Sequence, residues 1–445
     1  MKTTFPLFIH GDGVEYASKD SLMVWSWGNL ISLYGSLDSH WLIGCFPKSV
    51  TTANTWTAPM EWLLWSFTAL LKGVHPLKDP WDKPLKKGTV FDHLQGQSLT
   101  PGNLRGAVWS IQGDHEFFSN VLHLPHWRNP NPCWECDCTQ AGGEKPYTAL
   151  DPRKRAFEKR SLESEGVCPH ILFKVPGVTT RMVRGDGLHI VFTKGVFGHL
   201  LGSILHYCCW YDPPGSRQAV LPSTRLALLF AQIQKAYTAL GKGFTRLSNL
   251  RMSMFTDPKK PHAAPAFLTC KGAEAKHLAP ALLLVIRKLL KRDAAEETMV
   301  ATLEKGCQLV ALWDEADMFL TDAQFATSMQ LCNDFLSHYE HLNTWALGKG
   351  RNLFHIVIKH HTLLHLVENS WFLNPRYHWC FKSEDFVGKM STLAYSVSMG
   401  TSTNRISLKV APKYRIMLHV KLTRGDLQDP YAAFGSFDDL DSDED

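Results

Sequence analysis

Long apolar runs are missing from this sequence of 445 residues. A membrane-spanning helix needs about 18 uncharged apolar residues, and no such stretch is evident. The nearest one, APALLLVIRKLL at 279–290, is too short and contains Arg287 and Lys288. The N-terminal MKTTFPLFIHGDG lacks the apolar core of a signal peptide. We therefore expect no membrane span, and a reducing intracellular compartment for the 11 Cys residues.

Two further absences narrow the class of enzyme. The letters DEAD at 314–317 occur in helicases, but no Gly-x-x-x-x-Gly-Lys-Ser/Thr loop precedes them to hold a nucleotide phosphate. We interpret them as the solvated face of a helix. The Cys133-x-x-Cys136 pair lacks the surrounding strand-to-helix pattern of a thioredoxin-like protein, which disfavours redox chemistry.

The composition is that of a globular protein with a large core, because 44% of the residues are hydrophobic and 15 are Trp. The formal net charge of +5 includes a strongly acidic end, DDLDSDED at 438–445, so the rest of the chain is more basic. Basic runs at 151–160 and 287–292 could contact phosphates, although exposed Lys and Arg residues on helices are equally ordinary.

The hydrophobic pattern predicts an α/β protein. Aromatic and aliphatic runs at 4–9, 21–27, 39–47 and 107–111 predict strands, with an amphipathic helix at 52–73 between the third and the fourth. Further helices are predicted at 188–210, 224–240, 279–290 and 298–347, and two more in 354–370 and 376–400. The segment 406–424 alternates weakly and predicts one or two additional strands.

Two of the predicted strands end at a carboxylate. The first stops at Asp12, between Gly11 and Gly13, and the fourth stops at Asp114. Each Asp alone is typical of a turn or a cap. Together they are typical of the ribonuclease-H-like nuclease and transposase fold, in which these two strands are neighbours and a helix brings a third carboxylate. Such carboxylates hold two divalent cations about 4 Å apart, and the flanking glycines would leave room for them.

Three segments, GDGVEYASKDSLMVWSWGNLI, VWSIQGDHEFFSNVLHLPHWRNPNPCWECDC and RGDGLHIVFTKGVFGHLLGSIL, resemble successive blocks of the catalytic domain of CACTA-type (En/Spm-like) DDE transposases. The matching positions are Asp12-Gly13, Asp114, Cys133-x-x-Cys136 and Asp186-x-x-His189. Farther on, LTCKGAEAKHLAPALLLVIRKLL resembles a block with a Lys and a His before an apolar helix, here Lys271 and His277. HWCFKSEDFVGKM resembles the block that carries the last catalytic Glu, which assigns Glu384, with Asp385 as the rival.

The resemblance implies a ribonuclease-H-like mixed sheet interrupted by a Cys-bearing loop and a large helical insertion. It implies metal-dependent DNA cleavage and strand transfer in the nucleus, with Asp12, Asp114 and Glu384 binding two Mg²⁺ or Mn²⁺ ions. A homo-oligomer is compatible with it. The alternative is a catalytically inactive, transposon-derived, zinc-stabilised protein that binds DNA or protein. The corresponding divisions are a first core part at 1–130, a Cys-rich loop at 131–183, a helical insertion at 184–370, the last catalytic helix and core end at 371–425, and an acidic disordered tail at 426–445.

A zinc site is also predicted, since Cys133-x-x-Cys136 supplies two of the four ligands that zinc needs. The other ligands would come from a set of nearby thiols and imidazoles, namely Cys138, Cys168, His170 and His189. Reduced structural thiols are the alternative. His361 and His365 are four residues apart on one helix face, but we interpret this face as polar surface because no companion Glu suits a zinc-peptidase motif.

Asp186 and His189 leave two interpretations open. Asp186 could simply cap the helix that follows it. Alternatively, the pair lies at the active site, or His189 completes the zinc site.

Overall fold

The computed structural model describes residues 4–424, except 33, 168–169, 212–219, 242, 244 and 372. The predicted acidic tail at 426–445 and Cys168 therefore lie outside the described residues. The described chain is mixed α/β, which confirms the predicted class. It contains a mixed sheet of five strands: β1 (Thr4–Ala17), β2 (Asp20–Asn29), β3 (His40–Pro47), β4 (Arg105–Gly113) and β5 (Val183–Gly185).

The strand order is β3-β2-β1-β4-β5. β2 is antiparallel to β1 and β3, whereas β4 is parallel to both β1 and β5. The four predicted strands are therefore present, and β1 and β4 are neighbours. β5 was not predicted, because its three residues are too few to show a pattern.

β1 does not stop at Asp12, so that prediction is wrong. Gly11, Asp12 and Gly13 continue to pair with Trp25, Val24 and Met23 of β2. The pairing with β4, in contrast, ends at Gly11, opposite Gly113. Asp12 is thus the first residue of β1 beyond the end of its parallel partner.

Twelve α-helices are assigned in the described residues: α1 (Ser36–Ser39), α2 (Ala53–Lys72), α3 (Val90–His93), α4 (His115–Asn120), α5 (Val196–Trp210), α6 (Pro222–Leu240), α7 (Gly272–Leu289), α8 (Ala294–Glu315), α9 (Asp322–Gly348), α10 (Ile358–Glu368), α11 (Phe381–Ser398) and α12 (Ile406–Arg424). A π-helical turn, Leu188–Phe192, precedes α5. Shorter 3₁₀ turns lie at Lys48–Val50, Pro101–Asn103, Ile171–Lys174, Thr180–Met182, Met252–Met254, Asn369–Trp371, Pro375–His378 and Thr403–Arg405.

Two helix predictions need correction. The segment predicted as strands at 406–424 is α12, because Ile406, Val410 and Tyr414 recur every four residues and are all buried. The long stretch at 298–347 is two helices, since the chain leaves α8 at Ala316 and Thr321 caps the start of α9. In contrast, α2 matches its prediction, with Thr52 and Gly73 as its two caps.

The sheet is covered on both faces. On one face, Ile9 and Trp25 pack with Phe67 of α2 and Phe117 of α4. On the other face, Val24 packs with residues of α11 and α12, such as Phe386 and Val410. Successive residues of a strand point to opposite faces. Asp12 therefore shares the α11 face with Val14 and Tyr16, which pack in that second cluster.

The helices α5 to α10 build a separate, larger core. Within it, the segment Leu188–Trp210 is long and apolar enough to cross a membrane by length and composition, which the sequence prediction did not note. However, 78% of its most apolar window is buried inside the protein, so the segment is weak evidence for a span.

Candidate active site and metal centre

Asp12 and Asp114 lie where the parallel pairing of β1 with β4 ends. Gly11 and Gly113 are partners in that ladder, and each Asp is the next residue in the chain. Asp114 Oδ1 accepts a hydrogen bond from Phe117 N at 2.6 Å, so this side chain also caps α4. The cap interpretation and the site interpretation of Asp114 are therefore compatible, because one carboxylate oxygen serves the helix.

Glu384 reaches the same place from the first turn of α11. Asp12, Asp114 and Glu384 are close enough for the negative charges of Asp114 and Glu384 to raise the pKa of Asp12. Its rival, Asp385, is engaged elsewhere: it accepts hydrogen bonds from Ser36 Oγ and, at 2.6 Å, from Lys389 Nζ. Glu384, rather than Asp385, is therefore the α11 carboxylate whose charge acts on Asp12. Among the described residues, the acidic and His ligand atoms that lie within 4.8 Å of one another here are those of Asp186, His189 and Glu384, a group that does not include Asp12 or Asp114.

The protonation of the three carboxylates reflects this crowding. Burial, together with the charge of Asp114, raises the pKa of Asp12 to about 7. Burial also raises the pKa of Glu384 to about 7, although the nearby His189 opposes it. Burial raises the pKa of Asp114 above its ordinary value as well. Half-buried carboxylates that repel one another in this way form a site suited to added positive charge.

Asp186 and His189 complete the wall of the site. Asp186 is buried after β5, and its Oδ1 accepts from Leu188 N at 2.8 Å and from Cys380 N at 3.0 Å. Its Oδ2 lies 2.5 Å from His189 Nδ1. The other ring nitrogen, His189 Nε2, lies 3.5 Å from Glu384 Oε1. Asp186 therefore ties β5 to the start of α11 and aims His189 at Glu384.

His189 carries a positive charge in this arrangement. Burial lowers the pKa of His189, but the hydrogen bond to Asp186 outweighs burial and raises this pKa to about 9. Burial pushes the pKa of Asp186 upward, but the bond to His189 holds it below its ordinary value. Asp186, His189 and Glu384 each offer one ligand atom, and these atoms lie within 4.8 Å of one another. The acidic site thus already contains one cation, supplied by the chain itself.

Two lysines, Lys48 and Lys359, lie near the carboxylates of the acidic site. Lys48 Nζ lies 3.6 Å from Glu116 Oε1, and its charge acts on Asp114. Lys359 donates to the carbonyl of Lys194 at 2.7 Å. Burial lowers the pKa of Lys359 to about 8, while Asp186 and Asp114 act in the opposite direction. These ammonium groups give the rim of the site a positive character that suits a phosphate.

The flanking glycines do not leave room for cations as predicted. A Cβ atom on Gly11 would lie 2.1 Å from Phe117 Cε2, and one on Gly113 would lie 2.7 Å from the carbonyl oxygen of Gly11. On Gly13 it would lie 2.6 Å from Lys48 Nζ. The glycines instead admit the Phe117 ring and the Lys48 side chain. That close approach sets the position of the α4 cap.

A second cluster of potential metal ligands, two Cys and two His residues, is buried in the protein. Ligand atoms of Cys133, Cys136, His361 and His365 all lie within 4.8 Å of one another. Cys136 Sγ is 3.2 Å from His361 Nε2, which is 3.1 Å from His365 Nε2. In a tetrahedral zinc site the bond lengths separate such atoms by about 3.3–3.8 Å, slightly more than these two distances. The cluster could therefore hold a metal ion such as zinc.

The surroundings of this cluster orient its members. His365 Nδ1 lies 3.0 Å from Glu368 Oε2, which leaves Nε2 facing the thiols. A carboxylate behind a ligating imidazole is a common feature of metal sites. The backbone N–H of Glu135 donates to Cys133 Sγ at 3.3 Å inside the Cys-x-x-Cys loop. Two thiols and two imidazoles gathered in this way are a ligand set that suits zinc.

The predicted set of zinc ligands is only half right. Cys133 and Cys136 belong to the cluster, and Cys138 is buried beside them without joining the group of four. His170 lies elsewhere, with its ring 6.4 Å from that of Trp25, and His189 belongs to the acidic site. The interpretation of His361 and His365 as polar surface is wrong, because both are buried. Their spacing of four residues was the available signal.

The remaining predicted residues lie outside both sites. Lys271 precedes α7 at its N-cap position, and His277 Nδ1 accepts from Thr245 N at 2.7 Å. In the basic run at 151–160, Arg153 pairs with Asp151 and Lys154 pairs with Glu340. The first pair lies within the loop, and the second joins the loop to α9. Both pairs reduce the positive charge available to a phosphate.

Comparisons with known proteins add no identification. The sequence matches no protein-family model, and no curated protein matches it. The resemblance to CACTA-type transposases therefore stays a prediction that depends on the short blocks quoted above. The chemistry has to be argued from the two clusters themselves.

Proposed function

We propose that this protein is a metal-dependent DNA nuclease and strand transferase of the DDE type. The observation that carries the proposal is the placement of Asp12 and Asp114 at the end of the parallel β1–β4 pairing, where the charges of Asp114 and of Glu384 on α11 raise the pKa of Asp12. Three mutually repelling carboxylates have little use in a closed core. They are the ligands that Mg²⁺ and Mn²⁺ prefer.

The fold supports the same proposal. β1 and β4 are neighbours in the sheet, β1 carries Asp12, and Asp114 follows β4. A ribonuclease-H-like core would place its first two carboxylates in the same way. The order of the blocks quoted above agrees with a CACTA-type transposase. DNA as partner, a nuclear location and the two-ion mechanism follow from this resemblance and remain predictions.

Each residue has a defined part in the proposed chemistry. Two divalent ions would activate a water or a 3′-hydroxyl and stabilise the leaving oxygen of a phosphodiester. Asp12, Asp114 and Glu384 would hold these ions. Asp186 keeps His189 charged and fixed beside Glu384. Lys48 and Lys359 would offer ammonium groups to the incoming phosphate backbone.

The Cys/His cluster has a structural part in the proposal. Cys133 and Cys136 follow α4, which Asp114 caps, whereas His361 and His365 lie on α10, shortly before Glu384. We infer that a zinc ion joins these segments, so that the loop after the second Asp and the helices before the Glu are held together. Zinc in this centre would have no open position for catalysis, since all four ligands come from the chain.

The proposal is tested by Mg²⁺-dependent nicking of supercoiled plasmid DNA. Asp12→Asn and Glu384→Gln keep the size of the side chains and should each lower the rate at least about 100-fold. Asp385→Asn is the matched control, because it removes a neighbouring charge that points to Lys389, and it should retain activity. Equal rates in the wild type and Asp12→Asn would refute the assignment.

One observation favours the alternative, a catalytically inactive zinc-stabilised binding protein. His189 already faces Glu384 at 3.5 Å, and such a pair can neutralise the carboxylate without a metal ion. This alternative predicts no nicking by any variant and no stabilisation by Mg²⁺. Zinc content would be unchanged, so a metal analysis alone does not separate the two functions.

A further inference from the structure

A row of aromatic rings lies on the surface, away from the carboxylates. Trp62 is 45% exposed, Trp81 is 52% exposed and Phe91 is 47% exposed. Their ring centroids connect through Trp65 in the order Trp81–Trp62–Trp65–Phe91, at 5.4, 5.8 and 5.7 Å. We call these four side chains the aromatic row. Exposed aromatic groups of this extent indicate a binding surface.

The aromatic row is held rigidly in the folded protein. Trp65 Nε1 donates to the carbonyl of Lys78 at 2.7 Å, and Trp81 Nε1 donates to Glu61 Oε2 at 2.8 Å. Both indole N–H groups are therefore used internally, and the two bonds join α2 to the loop that carries Lys78 and Trp81. A partner would lose little side-chain entropy in these rings on binding.

Exposed lysines lie next to the aromatic row, among an equal number of carboxylates: Lys78, Lys83, Lys86 and Lys87 against Glu61, Asp79, Asp82 and Asp92. Lys83, Lys86 and Lys87 are exposed, and none of them takes part in an ion pair among the described residues. The nearby carboxylates are already occupied. Asp82 pairs with Lys78 at 2.9 Å, and Asp79 accepts from two backbone N–H groups.

Available ammonium groups beside rigid aromatic rings suit one type of ligand. Single-stranded nucleic acids combine a phosphate backbone with flat bases that stack on aromatic side chains.

We propose that the aromatic row, with Lys83, Lys86 and Lys87, is a binding site for single-stranded nucleic acid. Bases stack on Trp62, Trp81 and Phe91, and the lysines contact the phosphates. The site is separate from the three carboxylates and does not require them to be catalytic.

The test measures the fluorescence anisotropy of labelled dT20 and rU20 in EDTA, so that no metal-dependent reaction contributes. We expect Trp62→Ala and Trp81→Ala each to weaken binding about tenfold, since stacking of one base contributes on that order. Tyr395→Ala, an exposed aromatic side chain on α11, is the matched control and should bind as the wild type does. Comparing dT20 with rU20 shows whether the preferred strand is DNA or RNA.

A charge-reversal pair tests the lysines separately. Lys86→Glu/Lys87→Glu should reduce the slope of log K against log salt by about 1.4, at 0.7 per phosphate contact on single strands. Lys288→Glu/Lys291→Glu changes the charge equally on another surface and should leave the slope near that of the wild type. Thermal unfolding of each variant establishes that it is folded.

Three results would overturn the inference. The first is that the wild type binds neither oligonucleotide at 50 mM salt, roughly the low end of the usual range. The second is equal affinity in the wild type and the Trp variants. The third is an equal loss of affinity in the variants and their controls. A synthetic peptide of residues 425–445, which is acidic and contains Tyr431 and Phe434, is included as a competing ligand. Binding of this peptide but not of the oligonucleotides would assign the surface to a protein segment instead. Failure of the nicking assay would not affect any of these results.

Discussion

Asp12 and Asp114 each follow one member of the Gly11–Gly113 pair, the last pair of the parallel ladder between β1 and β4. Beyond this pair β4 has ended, whereas β1 continues along β2. One carboxylate therefore projects from a continuing strand and the other from the start of a helix. The end of a single ladder thus brings together two side chains that are about a hundred residues apart in the sequence.

The first prediction concerns the close approach of Gly11 to Phe117. Gly11→Ala should displace the Phe117 ring, because the added Cβ would lie 2.1 Å from Cε2. Overpacking of this kind costs about 1–3 kcal/mol. It would also disturb the Asp114 cap, which accepts from Phe117 N. Chemical denaturation should show the loss, and Gly388→Ala, where no atom lies within 4 Å of an added Cβ, is the control. Equal stability of Gly11→Ala and the wild type would contradict this packing.

The second prediction concerns pH and the metal-free protein. The pKa of Asp12 is raised to about 7 in the folded state, so the folded protein binds this proton more tightly than the unfolded chain does. The contribution is fully present below pH ~4 and is lost as the pH rises through 7. Each pKa unit corresponds to about 1.4 kcal/mol, which limits the loss from Asp12 to about 4 kcal/mol.

Asp12→Asn should remove this pH dependence. In EDTA the variant should be more stable than the wild type at pH 8. At pH 5 the difference in stability between the two proteins should be smaller. Thermal unfolding at a series of pH values measures both. If the wild type instead became steadily more stable than the variant from pH 5 to pH 8, the pH dependence would have the opposite sign. That result would exclude a raised pKa of Asp12.

The third prediction concerns the link from Asp186 to His189. Asp186→Asn retains an oxygen that can accept from Leu188 N and Cys380 N, but it removes the charge beside the imidazole. The pKa of His189, raised to about 9 by that partner, should fall by more than about one unit. An NMR titration of the His189 ring measures it. An unchanged His189 pKa would show that Asp186 is only a structural cap.

The fourth prediction concerns the Cys/His cluster. Purified protein should contain about one equivalent of zinc, and His365→Ala or Cys133→Ser should lose it together with stability on the order of 5 kcal/mol. Cys307→Ser, which changes a thiol on α8 away from the cluster, is the matched control. Elemental analysis and thermal unfolding provide the two readings. Full zinc content in His365→Ala would exclude the Cys₂His₂ assignment.

Local patterns account for the parts of the structure that the sequence predicted. The strands at β1 to β4 follow from aliphatic and aromatic runs, and the limits of α2 follow from its caps Thr52 and Gly73. The failures are also local. In β1 the glycines indicated a turn, yet the ladder to β2 continues through Gly11 and Gly13. In α12, Pro412 and a weak alternation concealed a helical period that becomes clear only from the burial of Ile406, Val410 and Tyr414.

The candidate sites show a different limit. Asp12 and Asp114 were predicted from the ends of two strands and Glu384 from the resemblance, whereas the choice against Asp385 needed its contact with Lys389. The second half of the Cys/His cluster could not be selected from the sequence. His361 is 225 residues from Cys136, and nothing local distinguishes it from His170 or His189 as the partner of the thiols. Only the tertiary packing of α10 determines which histidines lie beside the thiols.

Metal binding by the acidic site tests the central claim most directly, because it needs no assumption about a substrate. Isothermal titration of zinc-loaded protein with Mn²⁺ at pH 8 should show two ions per chain for the wild type and for Asp385→Asn. Asp12→Asn should lose measurable binding, since the charges of both Asp114 and Glu384 act on Asp12. The absence of Mn²⁺ binding in the wild type, or equal binding in wild type and Asp12→Asn, would contradict the account.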